Sequence, residues 1–99
     1  MAMREITWAP RAMQEFNDAI EYIRTRSDQQ ADNVRDKLLS KIEGLSDSLA
    51  THRLDKYKID NNGRFYYFEL LSYRISYFKS ETSIIIVRLR HVSMKPKNH

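Results

Sequence analysis

The chain has no cysteine and little of what interrupts regular structure, since its 99 residues include only two glycines and two prolines. Without cysteine there is neither a disulfide framework nor a thiolate metal site, and we expect no long disordered linker. No apolar run approaches the roughly 20 residues that a membrane-spanning helix needs. The first ten residues, MAMREITWAP, lack an apolar stretch of signal-peptide length. These absences predict a cytoplasmic protein.

The composition is that of an ordinary globular protein, with 41% hydrophobic and 30% charged residues. A chain of this length can bury one modest core. We therefore expect residues 1–99 to form a single domain.

Charge is distributed unevenly along the chain. Residues 1–51 carry seven Lys and Arg against nine Asp and Glu, a net charge of −2, whereas residues 52–99 carry ten against four, a net charge of +6. A basic half is the part of a protein that would face an anion such as nucleic acid. A solvated basic surface is the alternative interpretation.

The N-terminal half predicts one strand and two helices. REITW alternates as a strand does, and Pro10 is suited to the first turn of a helix. An apolar stripe at helical spacing follows, formed by Met13, Phe16, Ile20 and Ile23. Ser27 and Gln30 have the spacing of a capping box. The second helix has its own apolar stripe, and Gly44 indicates its end. The stripe is Ala31, Val34, Leu38, Ile42 and Leu45.

The C-terminal half predicts three strands, because RFYYFELL, YRISYF and SIIIVRLRHV are rich in aromatic and β-branched residues. The connections between them are short, which indicates an antiparallel meander. The complete order is β-α-α-β-β-β. We expect an α+β fold in which a helical hairpin packs on one face of a mainly antiparallel four-stranded sheet.

Alternation along the last two predicted strands divides their side chains between two faces. The residues assigned to one face are Tyr73, Ile75 and Tyr77, and Ile85, Val87 and Leu89, of which Ile75, Val87 and Leu89 should lie under the helices. The residues assigned to the opposite, open face are Arg74, Ser76, Arg88 and Arg90. Strict alternation places His91 on the core side, although a bulge or turn at a strand end could redirect it.

An open sheet face with arginines beside an aromatic residue such as Tyr67 suits RNA, because arginine binds phosphate in a bidentate manner and aromatic rings stack on bases. The alternative is that these arginines are solvated or pair with Glu69. The pattern itself does not decide between the two.

Three segments in this order resemble the RelE/ParE superfamily of toxins from type II toxin–antitoxin modules. WAPRAMQEFNDAIEYIRTRS is similar to the family's first strand and helix, SYRISYF to its Tyr-Arg strand, and VRLRHVSMKP to its last strand. The resemblance covers essentially the whole chain. It implies the same α+β fold and an antitoxin protein as partner.

The superfamily includes ribosome-dependent mRNA endonucleases and gyrase poisons on one fold, so the resemblance leaves the activity open. In the nuclease branch an arginine of the Tyr-Arg strand contacts the scissile phosphate, and Arg74 matches it. Arg90 and His91 match the basic or histidine residues at the end of the last strand. Lys58, in DKYKID, matches the first lysine of a Tyr-Lys-x-Lys segment that contributes to the family's nuclease site, and nearby Lys56 is an alternative. We also assign Arg64 and Arg88 to the RNA- or phosphate-binding set.

Metal-independent RNA cleavage needs a base for the 2′-OH, a group that stabilises the charged phosphate, and an acid for the leaving oxygen. Histidine is the residue type whose unperturbed pKa lies near neutrality, which makes His91 the candidate acid or base, while Arg74 and Arg90 would stabilise phosphate charge. Lys56 or Lys58 would position the phosphate. A strand-end histidine can equally be structural, and the two lysines can be ordinary loop cations. We predict no metal site and no cofactor.

Three functions therefore compete. The leading one is a toxin that cleaves mRNA on the ribosome as a metal-independent endoribonuclease. The second is a gyrase poison of the ParE type. The segment NNGRFYYFELL is closer to the ParE-like members of the superfamily and favours this function. The nuclease pattern also departs at Asp60, where a lysine is expected, and in lacking a tyrosine after Tyr77. The third is an inactive toxin fold that only binds its antitoxin.

Overall fold

A computed structural model describes residues 4–46, 53–54 and 64–93. The elements, in chain order, are β1 (Glu5–Trp8), α1 (Pro10–Arg24), α2 (Asp28–Glu43), a 3₁₀ turn (Gly44–Ser46), β2 (Arg53–Leu54), β3 (Phe65–Leu70), β4 (Tyr73–Lys79) and β5 (Ser83–His91). The predicted α+β order is confirmed, and the two-residue strand β2 is added to it.

The sheet has the strand order β1-β5-β4-β3-β2. Strands β2, β3, β4 and β5 form an antiparallel series, whereas β1 pairs with β5 in parallel. The β1–β5 pairing extends only from Glu5 opposite Ser83 to Trp8 opposite Ile86. Because the chain leaves β1 at Trp8 to enter α1, no strand among the described residues pairs with the rest of β5 on that side.

The two helices begin where the sequence predicts. Pro10 occupies the first turn of α1, and the Ser27 hydroxyl accepts a hydrogen bond from the Gln30 amide at 3.1 Å at the start of α2. The Arg24 guanidinium is 3.4 Å from Asp28 and 3.0 Å from Asp32, which joins the end of α1 to α2. α2 ends before Gly44 as predicted, but Gly44 has a right-handed φ of −65° and continues into the 3₁₀ turn.

The hydrophobic core lies between the helical hairpin and one face of the sheet. The predicted stripe of α2 is buried throughout. On α1 the stripe is shifted, because Met13 is 40% exposed and Ala12 is fully buried. The residues that form the core cluster are Ala12, Phe16, Ile20, Ala31, Val34, Leu38, Ile42, Leu45, Phe68, Tyr73, Ile75, Tyr77, Ile84, Ile86 and Leu89.

A β-bulge in β5 changes which residues of that strand face the core. Ser76 lies opposite Arg88, whereas the next residue, Tyr77, lies opposite Ile86, so that Val87 is an extra residue. The alternation predicted for β5 is therefore wrong before the bulge and correct after it. Ile84 and Ile86 are fully buried in place of Ile85 and Val87, and Leu89 is buried as predicted.

The turn between β3 and β4 offers a test of local conformation. Leu71 and Ser72 have φ values of 53° and 71°. Residues other than glycine and asparagine rarely adopt such positive φ values. A two-residue hairpin loop with both residues at positive φ favours Asn-Gly. We expect the double substitution Leu71→Asn/Ser72→Gly to raise the free energy of unfolding by about 1–2 kcal/mol in urea denaturation.

A matched control introduces the same residues in the next turn, as Glu81→Asn/Thr82→Gly. Both positions are exposed, and neither has a positive φ. The control should therefore be neutral or destabilising, because glycine there only adds freedom to the unfolded chain. An equal gain in stability at both turns would contradict this account.

Candidate functional site

Arg74 is held on the sheet by neighbours from β3. Its Nη2 and Nε lie 2.6 Å and 3.0 Å from Oε2 of Glu69, which is directly opposite it in the register. The guanidinium carbon is 4.9 Å from the centre of the Tyr67 ring. The pairing with Glu69 that the sequence left as an alternative is thus present. Arg90 lies directly opposite Arg74 on the other side, in β5.

Arg88 is not on an open surface. It is only 7% exposed, and its Nε lies 3.2 Å and 3.1 Å from the two carboxylate oxygens of Glu15 in α1. Burial lowers the pKa of Arg88, and the neighbouring Arg11 and Arg90 act in the same direction, whereas Glu15 opposes the shift. The predicted placement of Arg88 on an open face is therefore wrong. Contact of Arg88 with phosphate would require this ion pair to break.

Glu15 also accepts a hydrogen bond from the backbone of β5, in the part of that strand that β1 does not pair with. The Leu89 amide donates to Oε1 of Glu15 at 2.9 Å. One carboxylate thus replaces the missing strand as a hydrogen-bond partner and neutralises a buried guanidinium. Sequence reasoning missed Glu15, although a signal exists: it lies next to Phe16 and one turn from Ala12 and Ala19, at the margin of the buried face of α1.

His91 lines a pocket of about 340 Å³ between α1 and the end of β5. The lining residues are Glu15, Asp18, Ala19, Tyr22, Tyr73, Leu89, Arg90 and His91. The His91 ring is half-buried and meets the Tyr73 ring edge-on, with centroids 5.2 Å apart. Burial raises the pKa of Tyr73. The histidine predicted to be catalytic is thus accessible rather than sealed under the helices.

The orientation of the His91 ring is set by Ser93. The Ser93 amide donates to Nδ1 at 3.1 Å, and the Ser93 hydroxyl lies 2.7 Å from the same atom. Because Nδ1 accepts, a neutral ring carries its proton on Nε2. Nε2 would then be the atom that exchanges a proton with a ligand.

The three residues predicted to be catalytic are not brought together on one surface. His91 lies opposite Tyr73, a core residue on the helix side of the sheet, whereas Arg74 and Glu69 lie opposite each other on the other face. Directly opposed residues point to the same side of a sheet and successive residues to opposite sides. Arg74 and His91 therefore leave the sheet on opposite faces. Arg90 leaves it on the face of Arg74, its partner in the register, and still lines the His91 pocket at the end of β5.

The predicted phosphate-binding residues are also dispersed. Lys56 and Lys58 lie outside the described residues. Arg64 is exposed and precedes β3, at the opposite end of the sheet from His91. β4 runs between these two ends, from Tyr73 to Lys79. Its six residue steps span about 20 Å.

A pocket at the Arg64 end contains two cations that sequence reasoning missed, Arg4 and Lys79. The strand order explains why these two residues are close. Arg4 precedes β1 and Lys79 ends β4, and both strands are neighbours of β5. Their proximity follows only when β1 is placed beside β5.

Residues 4–46, 53–54 and 64–93 contain no group of three or more His, Asp or Glu side chains placed to hold a metal ion. No helix within those ranges has the length and apolar character needed to cross a membrane.

Comparison with known proteins gives a family and a fold. A family model described as the ParE toxin of the type II toxin–antitoxin system parDE matches residues 6–96. Among solved structures, a chain of the chromosomal ParDE TA system from P. aeruginosa is similar, with a TM-score of 0.74 and 12% identity over 92% of this chain and 98% of that chain. No match was found among curated proteins.

Proposed function

The chain belongs to the ParE toxin family of type II toxin–antitoxin systems, and on that premise we propose that it is a toxin that acts by binding DNA gyrase in the cytoplasm. The family implies a cognate antitoxin protein as its partner. The observation that carries the choice of target is the separation of Arg74 from His91 by the sheet.

A ribonuclease needs its acid, base and phosphate-stabilising groups within reach of one phosphate. Arg74 binds Glu69 on one side of the sheet, and His91 faces a pocket on the other side. Arg88, a further predicted phosphate ligand, is buried against Glu15. A toxin that acts by occupying a protein surface has no such requirement, and the geometry therefore favours the gyrase-directed function.

Ribosome-dependent mRNA cleavage, the leading prediction from sequence, is kept as the second candidate on one observation. His91 and Arg90 both line one pocket, so an imidazole and a guanidinium share the same concavity. An acid and a phosphate-binding cation could both act there without Arg74.

Paired assays of the purified protein separate these functions. We expect linear DNA from supercoiled plasmid when gyrase is present and none without it, and no mRNA cut at the ribosomal A site in a translation extract. The His91→Ala variant should produce gyrase-dependent breaks within about twofold of the wild-type amount, because a binding toxin uses no proton transfer at that ring.

The opposite pattern would replace the proposal. If mRNA cleavage occurs and disappears in the His91→Ala variant, the protein is the ribonuclease of the second candidate. If neither target is damaged while the antitoxin still binds, the chain is an inactive toxin fold.

A further inference from the structure

The pocket near Arg64, here called the basic pocket, is built from three strand ends. Its lining residues are Arg4, Arg64, Tyr66, Lys79, Ser80, Glu81 and Thr82. The Arg4 Nε donates to the Ser80 carbonyl at 2.6 Å, and the Lys79 amide donates to the Arg64 carbonyl at 2.8 Å. Backbone contacts thus hold the three cationic residues around one concavity.

Within the ranges that the structure describes, no ion pair joins any of the three cations of the basic pocket to a carboxylate. Five guanidinium groups elsewhere are paired with acids: Arg11 and Arg88 with Glu15, Arg24 with Glu21, Asp28 and Asp32, Arg35 with Asp36, and Arg74 with Glu69. Glu81 is the one carboxylate lining the basic pocket and makes no ion pair with its cations. The lining residues therefore carry a net charge of +2.

Arg4 and Lys79 are held in place by contacts that leave donors available. The Arg4 contact to Ser80 uses one of five guanidinium N–H groups. The Lys79 Nζ lies 5.7 Å from the centre of the Tyr66 ring, a contact that orients an ammonium group without using its hydrogens for a carboxylate. The side chains are thus positioned for an external acceptor.

We propose that the basic pocket binds the sugar–phosphate backbone of a nucleic acid. Guanidinium groups match phosphate oxygens in a bidentate manner, and lysine adds a point charge. The pocket, about 560 Å³ in volume and open to solvent, suits a polymer that passes across it. A nucleic acid carries a charge on every nucleotide, whereas successive acidic side chains of an extended peptide point to alternate sides. The concentration of three cations therefore favours phosphodiesters over an acidic protein segment.

This inference does not depend on gyrase, because it can be tested with the protein and a nucleic acid alone. The probes are a fluorescent duplex DNA and a single-stranded RNA of equal length, each titrated with the protein at several salt concentrations. The variant is Arg64→Gln/Lys79→Gln, which leaves the Arg4 contact to Ser80 intact. A control, Arg35→Gln/Lys37→Gln, removes the same charge from exposed positions on α2.

For the wild type we expect binding that weakens with salt. Loss of two phosphate contacts should reduce the slope of log affinity against log salt by about 1.8 for duplex DNA and by about 1.4 for single-stranded RNA. The α2 control should keep the wild-type slope. The probe that binds more tightly at equal salt identifies which nucleic acid supplies the backbone.

Three outcomes would overturn the proposal: no measurable binding of either probe, equal loss of slope in both double variants, or displacement of the nucleic acid by a polyglutamate peptide of equal charge at equal concentration. Circular dichroism spectra matching the wild type establish that both variants are folded. None of these outcomes bears on gyrase-dependent DNA breaks, so this proposal and the proposed function can fail separately.

Discussion

Replacing Glu15 with alanine is expected to lower the free energy of unfolding by about 3–5 kcal/mol. The carboxylate accepts from Arg88 Nε and from the Leu89 amide. Its loss leaves a guanidinium that is only 7% exposed without its neutralising partner. It also leaves the Leu89 N–H without its acceptor, which contributes about 1–3 kcal/mol of that cost. Urea denaturation followed by circular dichroism measures the change.

Glu21→Ala provides the matched control on the same helix. Its side chain is 75% exposed and lies 3.8 Å from Arg24, so its removal should cost less than about 1 kcal/mol. A third variant, Glu15→Leu/Arg88→Met, removes both charges together and should recover part of the stability. A loss below about 1 kcal/mol for Glu15→Ala would show that Arg88 finds water or another acceptor.

The elements of the fold were predictable because each has a local cause. Pro10 marks the start of α1 through its fixed φ, and Ser27 marks the start of α2 through its side-chain cap. The segments rich in β-branched and aromatic residues form β3, β4 and β5. The parallel pairing of β1 with β5 is different, since it depends on where the hairpin returns the chain. No local pattern reports that position.

The predicted faces of β5 are wrong because the strand contains a bulge. A single extra residue, Val87, moves Ile84 and Ile86 to the core. Assigning faces by alternation assumes that every residue of the strand is paired in a regular ladder. The sequence of β5 contains no pattern that predicts a bulge. Arg88 was then misplaced for a second reason, because its partner Glu15 is 73 residues away in the chain.

The separation of Arg74 from His91, in contrast, follows from alternation in its simplest form. Tyr73 and Arg74 are consecutive, and their partners across the ladder are His91 and Arg90. Residues that a family resemblance groups as one site can therefore lie on two faces. The resemblance supplies the residues, and the register decides which of them can act on one ligand.

Phe16→Ala is expected to lower the free energy of unfolding by about 3–5 kcal/mol, whereas Met13→Ala should cost less than about 1 kcal/mol. The sequence places both residues on one apolar stripe. In the structure Phe16 is 6% exposed and its ring centre lies 5.3 Å from that of Trp8, while Met13 is 40% exposed.

The same denaturation assay compares these two variants, and both residues lie on α1, so differences in helix propensity are small beside the expected gap. Comparable losses would mean that Met13 packs as the sequence stripe predicts and that the buried face of α1 is centred closer to it. A large loss of unfolding free energy in the Phe16 variant alone would establish that α1 is rotated about its axis so that Phe16, and not Met13, faces the sheet. That rotation carries Glu15 to the uncovered edge of β5, because Glu15 immediately precedes Phe16 on the helix.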